Sequence, residues 1–241
     1  MGTVVSIDVR DRAPAGDAIG RAMASLHAAD ATFSTYRADS AIRRLDRGDV
    51  ALADVPPEVR DVLERCEELR RETGGAFDHR CRGFLDPSAY VKGWAAQRAA
   101  DLLAAGGLRD VCLNVGGDVV ARGHATPGLP WRVGIRHPHD PRATAAVVEA
   151  RDLAVATSGA YERGRHVTAP RTGRPAVGVL SVTVTGPDLG RADAYSTAAF
   201  ALGPDAAHWT SHLPAGYEAM TITDDDVVVT TPGFPLAREA A

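Results

Sequence analysis

Apolar and polar residues alternate from Thr3 to Val9, with Val5, Ile7 and Val9 on one side, and this period of two predicts a half-buried strand. Beyond Pro14 the period lengthens. Ile19, Ala22, Met23, Leu26 and Ala29 recur at helical spacing, so an amphipathic helix is expected over roughly 15–30. Phe33-Ser34-Thr35-Tyr36 breaks that pattern, and Asp39 or Ser40 is suited to cap a short helix through Arg47. Pro56-Pro57 starts another helix whose stripe is Val59, Val62, Leu63, Cys66 and Leu69, ending near Thr73-Gly74-Gly75. An alanine-rich helix is expected from about Lys92 through Ala105.

In the second half the short periods dominate. Strands are expected at Val111–Val115, Val119–Arg122, Trp131–Ile135, Ala145–Glu149 and Val177–Thr185. The apolar run Leu153–Ala156 ends abruptly in Thr157-Ser158-Gly159. Ala192, Tyr195, Ala199 and Leu202 have helical spacing, with Gly203 as a stop. A last helix (about 204–212) and strands near 217–223 and 226–231 complete the pattern. Helices and strands intermix without regular βαβ alternation, and neither a repeat nor a linker divides the chain, so one α+β domain over residues 1–241 is expected.

Composition narrows the function classes. A net charge of −4 gives no electrostatic case for binding nucleic acid. No apolar run approaches the length of a membrane span. Cys66, Cys81 and Cys112 are widely spaced and predict buried thiols over a disulfide framework or zinc site. No signal peptide precedes the first strand, from which a cytoplasmic protein is expected. Every basic residue except Lys92 is arginine, which singles that lysine out.

Four stretches carry candidate chemistry. Residues 157–173 combine Thr157, Ser158, Tyr161, arginines, His166 and glycines, a composition suited to phosphate oxygens and equally to a solvated loop. Lys92 at the start of a helix either is solvated or meets an anion held at that helix end. Gly116-Gly117-Asp118 between two strands is a tight turn, or a place where flat ligand atoms approach the backbone. Asp193 and Thr197, four apart on one helical face, offer two hard oxygens for Mg²⁺ or Ca²⁺, though too few without further ligands. Alternatively, Asp193 serves the helix N-terminus and Thr197 bonds back to the backbone.

Taken in order, these segments resemble the ApbE family of FAD:protein FMN transferases. The resemblance rests on Met1-Gly2-Thr3, Phe33-Ser34-Thr35-Tyr36 with Ser40, Gly75-Ala76-Phe77-Asp78, and Lys92-Gly93. It continues through Asn114-x-Gly116-Gly117-Asp118, Ala156-Thr157-Ser158-Gly159-x-Tyr161, His166 with Pro170-Arg171-Thr172-Gly173, and Ala192-Asp193 with Thr197. It implies a single mixed α/β domain of the flavin-transferase, T-fold-like type. It implies Mg²⁺-dependent cleavage of the FAD pyrophosphate, transfer of FMN to a Ser or Thr of a target flavoprotein (the FMN-binding domain of an electron-transfer protein), and release of AMP. Carried over by motif position, Asp193 and Thr197 hold Mg²⁺ with a backbone carbonyl near the lysine, assigned to Val91. Met1, Tyr36, Asp78, Lys92, Gly116, Gly117 and Asp118 belong to the FAD pocket, and Thr157, Ser158 and Arg171 to its phosphate side. His166 is the candidate acceptor of the target hydroxyl proton, the alternative being a phosphate or loop contact.

The chain departs from the family pattern in several places. Ala169 stands where a carboxylate usually precedes Pro-Arg-Thr-Gly, and Gln97 where an Asp usually follows the lysine, which bears on how adenine or ribose is held. Asp78 and Lys92 are only fourteen residues apart, a much shorter spacing than usual. Many relatives are exported lipoproteins, so an upstream start would add an export signal. Two competing functions keep the same residues: an FAD pyrophosphatase with water as acceptor, and a non-catalytic FAD-binding protein. Tyr36, a bulky ring near the expected metal, leans toward transfer over hydrolysis.

Overall fold

A computed structural model describes residues 3–12, 15–159 and 167–238. Strand β1 (Val5–Val9) is followed by helices α1 (Gly16–Phe33), α2 (Ala41–Asp46), α3 (Pro57–Glu72) and α4 (Ser88–Ala105). Then come strands β2 (Val111–Val115), β3 (Asp118–Arg122), β4 (Trp131–Arg136), β5 (Thr144–Ala150), β6 (Leu153–Gly159), β7 (Thr168–Ala169), β8 (Arg174–Pro175) and β9 (Val179–Gly186). Helices α5 (Leu189–Ala201) and α6 (Ala206–Thr210) and strands β10 (Glu218–Thr223) and β11 (Val228–Thr230) complete the order.

Seven strands form one sheet in the order β1-β2-β3-β6-β9-β10-β11, antiparallel at each pairing. Alternation gives each strand two faces. Val111, Leu113, Val115, Val120, Ala154, Ala156, Val182 and Val184 face the helices and share their core. Val119, Ala121, Val155, Met220 and Ile222 face the other way, onto Trp131, Ile135, Val148 and Ala150 of the β4–β5 hairpin. The result is the single mixed α/β domain expected from the sequence.

Helix α5 occupies the centre of the helical layer, with eleven of its thirteen residues buried. It lies on β6 and β9, α4 packs beside it, and α1 packs on α4, where Phe33 meets the edge of Trp94 at 5.4 Å. Five alanines let it lie close against its neighbours, while Leu189, Tyr195 and Phe200 fill the core around it. Asp188 caps it by accepting from the Arg191 amide at 2.8 Å. Ser40 caps α2 from the Arg43 amide and also donates to the Ser34 carbonyl at 2.7 Å, fixing the Phe33–Tyr36 corner. Thus one serine serves both the cap and the corner.

Several boundaries differ from expectation. Helix α4 starts at Ser88, four residues before Lys92, because Pro87 presets the first turn and Asp86 accepts from the Ser88 amide at 3.2 Å. Lys92 is therefore inside the helix and not at its positive end. Strand β6 continues through Thr157, Ser158 and Gly159, which pair with β9. The expected helix over 204–212 is a 3-10 turn at Gly203–Asp205 followed by the shorter α6. Gly116-Gly117 forms a two-residue hairpin turn between Val115 and Asp118, both glycines at positive φ (61° and 96°). Of the three thiols only Cys66 is fully buried; Cys81 and Cys112 are partly covered.

Gly93 of α4 and Gly190 of α5 sit at the helix crossing. A Cβ on Gly93 would lie 2.4 Å from the Leu189 carbonyl oxygen and 2.9 Å from the Gly190 Cα. One on Gly190 would meet the Tyr90 ring at 2.8 Å. Gly93→Ala is expected to cost about 1–3 kcal/mol, the usual range for overpacking, which corresponds to roughly 2–4 °C of melting temperature per kcal/mol. Gly20→Ala in α1, where an added Cβ meets nothing within 4 Å, is expected instead to stabilise by about 0.5–1 kcal/mol. Thermal unfolding of both variants checks this; equal melting temperatures would remove the glycine crossing from the account.

Candidate active site

A cavity of about 390 Å³ opens where the C-terminal end of α1, the segment from Ala76 to Lys92, the β2–β3 turn, the end of β6 and the face of α5 converge. Lys92 and Asp193 line it, and Asp118, which does not, is buried behind them. Lys92 of α4 places Nζ 2.7 Å from Asp118 Oδ2 and 3.7 Å from Asp193 Oδ1. Asp118, the first residue of β3, also accepts from the Thr157 amide at 3.2 Å. Asp193 accepts from the Gly93 amide at 3.2 Å, across the glycine crossing.

Both carboxylates are nearly inaccessible to solvent, 1% for Asp118 and 3% for Asp193. Burial pushes the Asp193 carboxyl above the usual carboxylate range, and the neighbouring Asp118 adds to the rise. Lys92 and the Gly93 amide pull against it. A carboxylate driven toward its neutral form by burial is one that a bound cation would re-ionise.

Hydroxyls surround this acid. Thr197, one turn after Asp193, places Oγ1 3.3 Å from Ser158 Oγ, which also lies 2.9 Å from Ser196 Oγ. Ser196 donates to the Asp193 carbonyl at 3.0 Å. The reading in which Asp193 serves its own helix N-terminus does not hold, since Asp188 fills that role and Asp193 reaches α4. Asp193 and Thr197 thus present hard oxygens at the cavity wall, the donor chemistry that suits Mg²⁺ when substrate oxygens complete the shell. Among the described residues no group of three or more His, Cys, Asp or Glu side chains could hold a metal alone. Val91, whose carbonyl was the third expected ligand, lines the cavity from inside α4.

The other sequence candidates are distributed as follows. Asp78 lines the cavity and accepts from the Arg80 amide at 2.8 Å. Tyr36 lines its rim and is 92% exposed. Gly116 lines it too, with no room for a side chain, since a Cβ would fall 2.1 Å from Thr3 Oγ1. Gly117 lies on the far side of the turn, donating to Asn114 Oδ1 at 2.9 Å. Arg171 is exposed in the β7–β8 connection and does not line the cavity, although Thr168 and Pro170 do. Met1 and His166 lie outside the described residues. Gln97 is not a cavity residue: its Oε1 accepts from the Leu189 amide at 3.1 Å, fastening the start of α5.

Sequence reasoning gave no role to His79, Asp86, Ser88 or Ala89, all of which line the cavity. For Asp86 the available signal is an acid directly before Pro-Ser at a helix start. His79 is 4% exposed, and burial holds its imidazole below the usual range.

The family model for ApbE matches residues 1–84 and 80–221. The chain belongs to the ApbE family. A FAD:protein FMN transferase of Escherichia coli (strain K12) is 38% identical over 134 residues, covering 52% of this chain and 38% of that protein. A protein of the same name from Treponema pallidum is 33% identical over 213 residues, covering 77% and 59%. The matches therefore span less than two thirds of these curated relatives. Among solved structures, the flavin transferase ApbE from Vibrio cholerae superposes with a TM-score of 0.85 at 23% identity, covering 97% of this chain and 95% of that one. The ApbE protein from Thermotoga maritima gives 0.86 at 22% identity, covering 96% and 94%. These likenesses establish the ApbE fold across nearly the whole chain.

Replacing Lys92 by Met would leave the buried carboxylates without its charge. The expected loss is about 3 kcal/mol, the lower end for breaking a buried pair, because the Lys92 side chain is partly exposed. Adding Asp118→Asn should recover most of it. Thermal melts of the single and double variants measure this, and a double variant no more stable than Lys92→Met would refute the coupling.

Proposed function

We propose that this protein is an Mg²⁺-dependent FAD:protein FMN transferase, which cleaves the FAD pyrophosphate, joins FMN to a Ser or Thr hydroxyl of an acceptor flavoprotein and releases AMP. One observation carries the reading: Asp193 and Thr197 lie beside Lys92 in the wall of a cavity bordered by hydroxyls and a glycine turn. Membership of the ApbE family supports it, as does the name of the curated relatives.

The acceptor oxygen attacks the phosphorus of the FMN half. The new phosphorus–oxygen bond forms as the bond from that phosphorus to the bridging oxygen breaks, and the bridge leaves with AMP. The hydroxyl proton passes to a base, for which His166 is the sequence candidate. Asp193 and Thr197 would hold Mg²⁺, which when bound supplies charge neutralisation at the pyrophosphate oxygens. Lys92 holds its ammonium at the cavity wall, where it faces anionic oxygens while remaining paired with Asp118. Gly116 lets the ligand approach the backbone closely, Ser158 offers a hydroxyl from the end of β6, and Thr157 beside it lines the same cavity.

The test combines purified protein, FAD and Mg²⁺ with an FMN-binding-domain acceptor, following AMP release and acceptor mass. The expected result is a gain of one FMN on the acceptor, reduced at least about a hundredfold by Asp193→Asn. That substitution keeps an oxygen for the Gly93 amide. AMP and free FMN without acceptor labelling would establish a pyrophosphatase instead. Tight FAD binding without AMP would establish a binding protein.

A further inference from the structure

The open edge of the β4–β5 hairpin carries information that the first cavity does not use. Strand β4 pairs only with β5 among the described strands. The outer edge of β5 is already occupied, since the Ala237 amide donates to the Val147 carbonyl at 2.7 Å and the Glu149 amide donates to the Pro235 carbonyl at 2.9 Å. Val147 and Glu149 therefore turn their backbone groups away from β4. Their partners across the hairpin are Gly134 and Arg132. In an antiparallel ladder such pairs do not exchange hydrogen bonds, so the N–H and C=O of both Arg132 and Gly134 point outward from the free edge of β4.

That edge lines a second cavity of about 370 Å³. Five consecutive β4 residues, from Arg132 to Arg136, contribute to it, whereas the sheet contributes the alternate residues Cys112 and Asn114. Consecutive residues mark a strand edge, and alternate ones a strand face. The groove thus runs between an edge that no described strand pairs and a sheet face. Arg132 is exposed, and both it and Arg136 line the groove. At the centre an added Cβ on Gly134 would meet only the Thr144 side chain, at 3.6 Å. One end of the groove joins the candidate active site, because Thr157 lines both cavities and the Gly116-Gly117 turn contributes one glycine to each.

We propose that this groove receives an extended, acidic segment of the acceptor protein, added as a strand to the free edge of β4. The proposal rests on the transferase reading for the identity of its occupant. Backbone donors and acceptors alternating along an edge match an extended polypeptide and no small anion. The exposed Arg132 guanidinium selects carboxylate side chains on that segment. The path from the groove past Thr157 delivers a neighbouring hydroxyl to the cavity that holds Asp193 and Lys92.

The test uses a short fluorescein-labelled peptide with one Thr flanked by Asp, and a counterpart with Lys in place of Asp, titrated against the full chain. Saturable binding of the acidic peptide, weakened by salt, is expected for the unaltered protein. Gly134→Pro removes an outward N–H at an edge position where proline is tolerated, and Arg132→Glu reverses the charge. Each is expected to weaken the acidic peptide by about tenfold or more while flavin binding and melting temperature hold. Absence of acidic-peptide binding, equal binding of the Lys peptide, or binding unchanged in both variants would overturn the proposal. A concentration-dependent dimer lost in Gly134→Pro would also overturn it, assigning the edge to a second copy. FMN transfer that is equally efficient in both variants would leave the transferase standing and the groove without this role. Peptide binding as expected without any FMN transfer would do the reverse.

Discussion

The distance between α4 and α5 governs everything that the cavity can do. Helices approach as closely as the side chains between them permit. Here Gly93 meets the Leu189 carbonyl and Gly190 meets the Tyr90 ring, so neither position has room for a methyl group. Lys92 is adjacent to one glycine, and Asp193 lies three residues beyond the other. Widening the crossing would move the ammonium away from the carboxylate and break the Gly93–Asp193 hydrogen bond across the interface. A helix as buried as α5 cannot recover that geometry by sliding, because the sheet confines its other side.

The electrostatics of this crossing argue for a ligand site over a structural ion pair. Lys92 lies at 2.7 Å from Asp118 but only at 3.7 Å from Asp193. Its closer commitment is to Asp118, which the Thr157 amide also holds in place. Asp193 retains one backbone amide at hydrogen-bond distance while remaining almost wholly removed from water. Burying a carboxylate with so little compensation costs stability. A fold keeps such a group where something that binds there completes it, and the hydroxyls of Thr197 and Ser158 stand beside it.

The periodic part of the fold was legible in the sequence. The stripe Val59, Val62, Cys66 and Leu69 is buried in α3 as its spacing implied, and Val5, Ile7 and Val9 face the helices. The failures cluster where function or close packing overrides periodicity. Gly93 looks, in a sequence, like a place where a helix begins; only the approach of Leu189 shows that it is a packing glycine inside one. Thr157-Ser158-Gly159 looks like the end of a strand because its residues are polar, yet the ladder to β9 runs on beneath them. Gln97 departs from the family pattern in a way that suggested a ligand contact, while its amide oxygen instead fastens the start of α5. Such facts depend on what lies across an interface, which local composition does not encode.

Strand β6 explains how one sheet can border two cavities. Successive strand residues face opposite sides, so Thr157 and Ser158 cannot both look toward the helices. Ser158 reaches Ser196 and Thr197 of α5, whereas Thr157 bonds Thr183 Oγ1 at 2.9 Å on the side of the β4–β5 hairpin. The helical side is crowded by α4 and α5 and carries the charged residues. The hairpin side carries the edge of β4 that no described strand pairs, with Arg132 along it. Among the described residues Thr157 borders both, and the Gly116-Gly117 turn gives one glycine to each, its positive φ values and missing side chains keeping it thin. The proposed joining of a nucleotide to a protein segment needs two approaches that converge without overlapping. A thin turn at the end of a two-faced sheet would provide that convergence, whereas a thicker connection bearing side chains at both positions would separate the approaches.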